Sequence, residues 1–295
     1  ERSNWVKKLP DLTKIQRFYM PIYKDNSRNK FLLFAGVKLY ELLAANFSLG
    51  KSKMHSKSDT LDSNPLLKQE GLIGSVSYVD VQMDDYKIAQ WLKNEALNKG
   101  IILKENNEVV SFCETGSLTT TDSETLTYDF IVNAAGPWAG KLLKDNNIQS
   151  NFEMSLVRGS HLIVNLKIQN PLVLQNVKDK RIVFMLPLDN GCLLGTTEYT
   201  HNIKDPITCT PIERDYLLEI ANAYLKKQLT LKDVISDYAG VRPLVFDSSA
   251  QDVSKINRDS ATEFNQSLIN IFGGKWTSGP SLGEKVSDMI ESRSK

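Results

Sequence analysis

The chain has 295 residues, of which 41% are apolar and 24% charged, so it can bury the core of one large or two ordinary domains. Its 36 basic and 35 acidic groups leave a net charge of +1, which argues against a nucleic-acid-binding protein held mainly by phosphate contacts. The cysteines Cys113, Cys192 and Cys209 have no CxxC spacing, so we expect neither a disulfide framework nor a metal site, and a reducing, cytoplasmic compartment fits best.

An apolar run near the start predicts a helix over residues 31–46. The run contains Lys38 and Glu41 and is short for a bilayer span, so a buried or half-buried helix is the preferred interpretation. A helix resting on a membrane surface is the alternative, since the flanks carry Lys24, Arg28, Lys30, Lys51 and Lys53. The polar residues 50–64 that follow predict an exposed loop.

Strand and helix patterns alternate in the next part of the chain. Residues 75–81 read as a strand, and Asp84 or Asp85 can cap the helix behind it. That helix has an apolar face at helical spacing and ends at Gly100. Further strands are predicted over residues 101–103, 109–112 and 125–131.

The second half of the chain is rich in strand patterns up to residue 197. A helix with Pro211 in its first turn is predicted over residues 211–228, strands over 234–244 and 268–272, and a closing helix over 280–290. Such mixing predicts an α/β sheet domain interrupted by a largely antiparallel domain.

Two turns combine small residues with the end of an apolar strand. The first follows residues 129–133 and consists of Ala134, Ala135, Gly136, Pro137 and Trp138, where a ligand could approach the backbone closely. A tight strand-to-helix turn without a ligand explains the spacing equally well. The second turn begins with two glycines that could expose backbone N–H groups to an anion or a polar ring edge, although a plain double-glycine turn is the alternative. It consists of Gly273, Gly274, Lys275, Trp276 and Thr277.

Two polar side chains are candidates for chemistry. His161 lies between a glycine and a strand, and it is a better general-base candidate than His55 in the polar loop or His201 behind a threonine-rich turn. Arg242 stands beside a proline at the end of a strand, where its planar guanidinium could bind a carboxylate or a phosphate. A hydrogen bond to a neighbouring carbonyl and a surface ion pair are the simpler alternatives for the two residues.

Taken in order, these motifs resemble the aerobic FAD-dependent glycerol-3-phosphate dehydrogenases, within the D-amino-acid-oxidase-like flavoproteins. The resemblance runs from Glu1 to about Lys285 and includes a helix in which Lys87 replaces the usual arginine. Glu198 stands where aspartate is common, and Trp276 where an aliphatic residue is usual. The similar stretches are VNAAGPWA (132–139), VRGSH (157–161), DKRIVFMLPL (179–188), LLGTT (193–197), YAGVRPL (238–244) and FGGKWT (272–277).

The resemblance implies a mixed α/β (α+β) fold in which a partial FAD/NAD(P)-binding Rossmann-like domain is interleaved with a largely antiparallel substrate-binding domain. The expected division is a helical cap segment of the substrate domain (1–76), an FAD-domain segment (77–148), the antiparallel substrate domain (149–236) and an FAD-domain return segment (237–295).

The implied reaction is oxidation of sn-glycerol 3-phosphate to dihydroxyacetone phosphate, with a hydride passing to FAD. His161 is then the base, Arg242 stabilises the phosphate or the developing carbonyl, and Lys275 serves the substrate phosphate or the flavin. The residues 134–138 and 273–277 would contact FAD. The implied setting is a respiratory chain with a quinone or another electron acceptor, at the cytoplasmic face of the inner membrane, with peripheral membrane contact and a homodimer as the candidate assembly.

A glycine-rich diphosphate loop is missing from the printed sequence. No two glycines are separated by one residue, and the first residues resemble neither an initiator methionine nor a signal peptide. We therefore expect an amino-terminally truncated enzyme whose diphosphate-binding loop is encoded upstream of Glu1. The alternatives are an amino-acid oxidase of the same superfamily and a non-catalytic remnant of the enzyme.

Overall fold

The computed structural model of the chain describes residues 2–24, 30–44, 49–247 and 260–294. Within these ranges the helices are α1 (Arg2–Lys8), α2 (Lys30–Ala44), α3 (Lys57–Ser63), α4 (Asp85–Asn98), α5 (Ala139–Asp145), α6 (Pro211–Tyr224) and α7 (Gly279–Glu291). The first strands are β1 (Thr13–Tyr23), β2 (Lys53–His55), β3 (Leu72–Met83), β4 (Val109–Phe112), β5 (Ser117–Thr120), β6 (Thr125–Thr127) and β7 (Ile131–Asn133). They are followed by β8 (Phe152–Val164), β9 (Leu172–Gln175), β10 (Ile182–Leu188), β11 (Gly191–Gly195), β12 (Tyr199–Thr200), β13 (Val234–Asp247), β14 (Ala261–Asn265) and β15 (Leu268–Phe272).

The largest sheet has nine strands and is mainly antiparallel. Its order is β12-β8-β11-β10-β9-β1-β3-β2, and β13 pairs with β8 along the length of both strands. Among the described strands of this sheet, β1 and β9 are the one parallel neighbour pair. The predicted antiparallel unit is therefore present, and the long strands β1 and β3 from the first part of the chain belong to it.

Helix α6 packs against this sheet and closes its core. Thr210 and Glu213 form a capping box at its start, with Pro211 in the first turn, which fixes where the helix begins. Its buried residues join those of β8, β9, β10 and β11 in one apolar cluster that includes Leu162, Leu174, Met185, Leu194, Leu217, Ala221 and Tyr224. Helix α6 thereby supports β8 and β11, the strands that carry His161 and Gly195.

A smaller sheet has the order β14-β15-β7, in which β7 and β15 are parallel. Asn133 and Asn270 are opposite each other near the ends of these two strands. Since parallel strands end at the same edge of a sheet, the turns behind β7 and β15 lie side by side. A third sheet, β4-β5-β6, is an antiparallel meander. The mixed α/β fold predicted from the sequence is thus confirmed.

Three secondary-structure predictions are wrong. Residues 101–103 are not a strand and have exposed side chains, while residues 125–131 divide into β6 and β7, which belong to different sheets. Residues 50–64 are not an exposed loop, because they contain β2 and α3 and bury Ser52, Thr60 and Asn64. Short polar segments of this kind are ordered by local hydrogen bonds, here a capping box between Ser56 and Asp59.

Other predicted elements are confirmed with shifted ends. The helix behind residue 84 begins with Asp84 as its cap, and Gly100 follows its end with a φ of 78°. Helix α6 stops at Tyr224, four residues before the predicted end. Strands β3 and β13 run continuously across the 76/77 and 236/237 divisions, so two of the expected domain boundaries fall inside strands.

The apolar run near the start forms α2, as predicted, and the helix is half-buried: Leu33, Phe34 and Val37 are partly covered, whereas the other side faces solvent. Phe31, Leu32, Leu39, Leu42 and Leu43 are all more than half exposed. Asn46, the predicted last residue, lies outside the described residues. In the described part of the chain no helix has both the length and the apolarity to cross a membrane.

Candidate active site

His161 lies on β8 between two strands that determine its surroundings. Tyr238 on β13 and Gly195 on β11 are its direct partners in the sheet register. The rings of His161 and Tyr238 are stacked, with centroids 4.9 Å apart and planes inclined by 12°. Because residues at alternate positions of a strand share a face, His161, Gly159 and Val157 point the same way as their partners Tyr238, Gly240 and Arg242. The sheet register thereby brings His161 and Arg242 to one face.

Two glycines provide the room for these side chains. A Cβ atom at Gly195 would overlap the His161 ring, coming within 2.8 Å of Cγ. A Cβ at Gly159 would lie 3.0 Å from the Thr197 carbonyl oxygen and 3.4 Å from Arg242 Nη2. The guanidinium of Arg242 therefore extends over Gly159 toward the imidazole.

The electrostatic surroundings keep the His161 ring neutral. Burial, followed by the nearby charge of Arg242, lowers the pKa of His161 to about 4, while Asp85 at the start of α4 acts in the opposite direction. The buried Nδ1 atom has no hydrogen-bond partner among the described residues. A neutral imidazole with an unused nitrogen can accept a proton at neutral pH.

Arg242 is half exposed, and its free face can meet an anionic ligand. Its Nη1 atom lies 3.5 Å from Glu198 Oε1, and that pair has side-chain exposures of 46% and 42%. Arg181 donates a hydrogen bond of 2.6 Å from Nη1 to the backbone carbonyl of Glu198. Glu198, the residue that departs from the family's usual aspartate, thus lies between two arginines and can orient Arg242.

The buried carboxylate of Glu213 binds residues that flank this site. Glu213 on α6 forms an ion pair of 2.8 Å with Arg158 Nη2, and it accepts hydrogen bonds of 2.8 Å from the hydroxyls of Ser160 and Thr197. Thr210 donates to it from both its hydroxyl and its amide. Ser160 precedes His161, so Glu213 connects α6 with the backbone that carries the imidazole.

The small residues behind β7 line a second region, an open cleft of about 1560 Å³. Gly136 has a φ of 54° and begins a short 3₁₀ turn, Gly136–Trp138, that leads into α5. Trp138 is nearly half exposed in the cleft. The predicted cofactor-binding residues in the wall of the cleft are Ala134, Ala135, Gly136, Pro137 and Trp138.

The glycine turn behind β15 lies next to that region, at the shared edge of the parallel strands. Gly273 and Gly274 have φ values of 71° and 105°, which side-chain-bearing residues rarely adopt. Lys275 and Trp276 are exposed, and Thr277 is part of the 3₁₀ turn that precedes α7.

These two turns fit a flavin. The Nδ2 atom of Asn270 is buried and has no partner among the described residues, although Asn133 Nδ2 donates to its oxygen at 3.1 Å. The strand ends thus combine bare backbone, an unused donor and an apolar wall, as a planar heterocycle requires.

The site has two parts joined by β13. The 3₁₀ turn Gly136–Trp138 packs against β13, the strand that carries Tyr238 and Arg242. Lys275 and the glycines at 273 and 274 adjoin the first turn through the β7–β15 pair, and no described contact places them on His161 or Arg242. Tyr238, Gly195 and Glu213 were not predicted to matter, because their role depends on strand register and helix packing that one sequence does not reveal.

Substituting Gly195 by alanine tests the packing around the imidazole. We expect the Gly195→Ala protein to lose about 1–3 kcal/mol of unfolding free energy, because the methyl group meets the ring that Tyr238 holds in place. Denaturant unfolding measures this change. Gly240→Ala on β13 is the matched control, since a Cβ there would meet no atom within 4 Å. Equal stability of the two variants would contradict the packing.

Comparisons with known proteins give a family match and similar relatives. A family model described as FAD dependent oxidoreductase (DAO) matches residues 4–289. The aerobic glycerol-3-phosphate dehydrogenase of Staphylococcus aureus (strain USA300) is 28% identical over 311 aligned residues, which cover 100% of this chain and 56% of that protein. The chain therefore spans about half the length of the curated relatives it matches.

Solved structures show the same fold. The glycerol-3-phosphate dehydrogenase from Bacillus halodurans complexed with FAD superimposes with a TM-score of 0.80 at 24% identity, covering 99% of this chain and 54% of that chain. The glycine oxidase from Bacillus cereus ATCC 14579 gives a TM-score of 0.72 at 19% identity, with coverage of 99% and 78%.

Proposed function

Because this chain belongs to the DAO family of FAD-dependent oxidoreductases, we propose that it carries the substrate-oxidising part of a glycerol-3-phosphate dehydrogenase. The reaction is oxidation of sn-glycerol 3-phosphate at its central carbon to dihydroxyacetone phosphate. The observation that carries the proposal is a neutral, half-buried His161 beside Arg242 on one face of the sheet. The likeness to the Staphylococcus aureus and Bacillus halodurans dehydrogenases supports the choice of substrate.

Each residue has a definite part in this proposal. FAD, when bound, supplies the hydride acceptor. A ring nitrogen of His161 takes the proton of the C2 hydroxyl as the alcohol is oxidised. Arg242 binds an anionic oxygen of the substrate and stabilises the developing carbonyl, and Glu198 orients its guanidinium. Lys275 binds the substrate phosphate or the pyrimidine edge of the flavin.

The cofactor is proposed to lie along the ends of β7 and β15. Ala134, Ala135, Gly136, Pro137 and Trp138 form one wall, because they line the open cleft behind β7. Gly273, Gly274, Trp276 and Thr277 offer backbone and hydroxyl donors from the neighbouring turn.

The setting is also part of the proposal. Electrons pass from the cofactor to a quinone of a respiratory chain, and the protein works at the cytoplasmic face of the inner membrane through peripheral contact. A homodimer is the proposed assembly.

Flavin content and substrate-dependent reduction test the proposed reaction. The purified chain is incubated with FAD, desalted and scanned for flavin absorbance, and reduction of a dye is then followed with sn-glycerol 3-phosphate. We expect dye reduction with this substrate and none with glycine. Bound flavin that responds to glycine alone would assign an amino-acid oxidase, and failure to retain flavin would favour a non-catalytic remnant.

A further inference from the structure

His161, the proposed general base, lacks the hydrogen bond that usually orients such a residue. A catalytic histidine is commonly fixed by a hydrogen bond from its second ring nitrogen to a carboxylate or a backbone carbonyl, which sets the rotation and the tautomer of the ring. The Nδ1 atom of His161 is buried and has no hydrogen-bond partner among the described residues. A different contact must therefore hold the imidazole in place.

Two neighbours on adjacent strands confine the imidazole by packing. On β11, Gly195 leaves room for the ring and for nothing else, since a Cβ there would lie 2.8 Å from Cγ and 3.0 Å from Nε2 of His161. On β13, the phenol ring of Tyr238 stacks on the imidazole, with centroids 4.9 Å apart and planes inclined by 12°. Because Tyr238 and His161 are direct partners in the β8–β13 register, the strands keep the two rings at a fixed separation. Gly195 thus limits one side of the imidazole and Tyr238 the other.

The stacked phenol also contributes to the electrostatic surroundings of the imidazole. Burial is the main cause that lowers the pKa of His161, followed by the charge of Arg242 on β13, while Asp85 at the start of α4 acts in the opposite direction. Burial, followed by the charge of Asp85, raises the pKa of Tyr238, so the phenol is un-ionised at neutral pH. A neutral aromatic face therefore covers the imidazole and keeps water away from it.

We propose that Tyr238 is a positioning residue for the proposed reaction: its ring, and not a hydrogen bond, holds the imidazole of His161 in the orientation in which it meets the substrate. The inference rests on the proposed function of His161 as the base. One alternative is an aromatic pair that only stabilises the two strands. Another is a hydroxyl of Tyr238 that binds the substrate directly, since this side chain is 48% exposed.

NMR titration of the flavin-free chain tests the placement of the ring. The chain has three histidines, and the resonance that is lost in His161→Gln belongs to His161. Its ring protons should be shifted upfield by the stacked phenol, and they should titrate only as the pH approaches about 4. In Tyr238→Val the upfield shift should disappear and the midpoint should move toward the ordinary value of 6.5, because water reaches the ring. Tyr238→Phe should match the unmodified chain in both respects.

Steady-state kinetics with FAD and sn-glycerol 3-phosphate separate positioning from a structural role. Tyr238→Val should lower kcat about ten- to hundredfold, because a small displacement of a catalytic group has an effect of this order. Tyr238→Phe should keep most of the turnover. Tyr40→Val is the matched control, since Tyr40 is 42% exposed and pairs with another aromatic ring, that of Tyr78, with centroids 6.3 Å apart. This variant should change neither the turnover nor the titration of His161.

Three results would overturn the inference. They are an unchanged shift and midpoint of His161 in Tyr238→Val, an unchanged kcat in that variant, and an equal loss in Tyr238→Phe, which would assign the effect to the hydroxyl. Circular dichroism shows whether the variants are folded, and Tyr238→Leu replaces the valine variant if that one is unfolded. Because the NMR titration needs neither flavin nor substrate, it decides how the ring is held even if the unmodified chain reduces no dye, the result that would contradict the proposed function.

Discussion

The His161→Gln protein should retain FAD but reduce dye with sn-glycerol 3-phosphate about 10²–10⁴-fold more slowly, the usual contribution of a positioned general base. Glutamine fills much of the same space and can hydrogen-bond, but it cannot take up the hydroxyl proton. The loss should therefore appear mainly in kcat, measured by steady-state kinetics. Near-full turnover in this variant would remove His161 from the mechanism.

The pH dependence of kcat tests the role of His161 independently. Burial and the charge of Arg242 lower the pKa of His161 to about 4, so the neutral form persists well below the ordinary histidine pKa of 6.5. We expect kcat to stay level below pH 6.5 and to fall only as the pH approaches about 4. The kcat profile is the better readout, because the substrate phosphate itself titrates near pH ~6 and affects kcat/KM.

His55→Gln is the control for the loss of a histidine. His55 lies on β2, at the other end of the large sheet, where its Nε2 is 2.7 Å from the Ser77 hydroxyl. This variant should keep the turnover and the pH profile of the unmodified chain. An acid limb near 6.5 that persists in His161→Gln would instead assign the titration to another group.

Sequence patterns predicted the elements whose boundaries are set locally. The start of α6 was predicted from Pro211 and the end of α4 from Gly100, because such signals depend only on neighbouring residues. Residues 101–103 have strand-like side chains, but they lack a strand partner in the described part of the chain. The exposure of α2 shows a related limit, since periodicity predicts an apolar face without saying which way it points.

The candidate site was predictable only in part for a similar reason. His161 and Arg242 were selected by residue type and motif, but their shared face follows from the β8–β13 register, which pairs residues about 80 positions apart. The stacking of Tyr238 on His161 and the space left by Gly195 follow from the same pairing. Glu213 was not predicted, because one sequence does not reveal that Arg158 and Ser160 lie against its carboxylate.

The Glu213→Gln protein should lose about 3–5 kcal/mol of unfolding free energy, the usual effect of breaking a buried ion pair. Burial opposes ionisation of Glu213, but hydrogen bonds from Thr210, Ser160 and Thr197 outweigh it and lower the pKa of the carboxyl to about 2. The substitution removes the charge that these donors and Arg158 share, and it leaves the guanidinium of Arg158 without its anion. Urea unfolding followed by circular dichroism measures the difference.

The matched control is Glu219→Gln, the same substitution on the same helix at an exposed ion pair with Lys178. It should change the unfolding free energy by less than about 1 kcal/mol, because solvent screens the pair.

The stabilisation by Glu213 should depend on pH. Because the pKa of this carboxyl is about 2 in the folded chain and near 4.5 in the unfolded chain, the ionised group stabilises the fold fully above pH 4.5. The difference in unfolding free energy between the unmodified and Glu213→Gln proteins should therefore shrink as the pH falls from 4.5 toward about 2. Since Glu213 binds Ser160, which precedes His161, the variant should also lower kcat more than Glu219→Gln does. Equal stability of the two variants at neutral pH would show that the buried carboxylate does not support the backbone of His161.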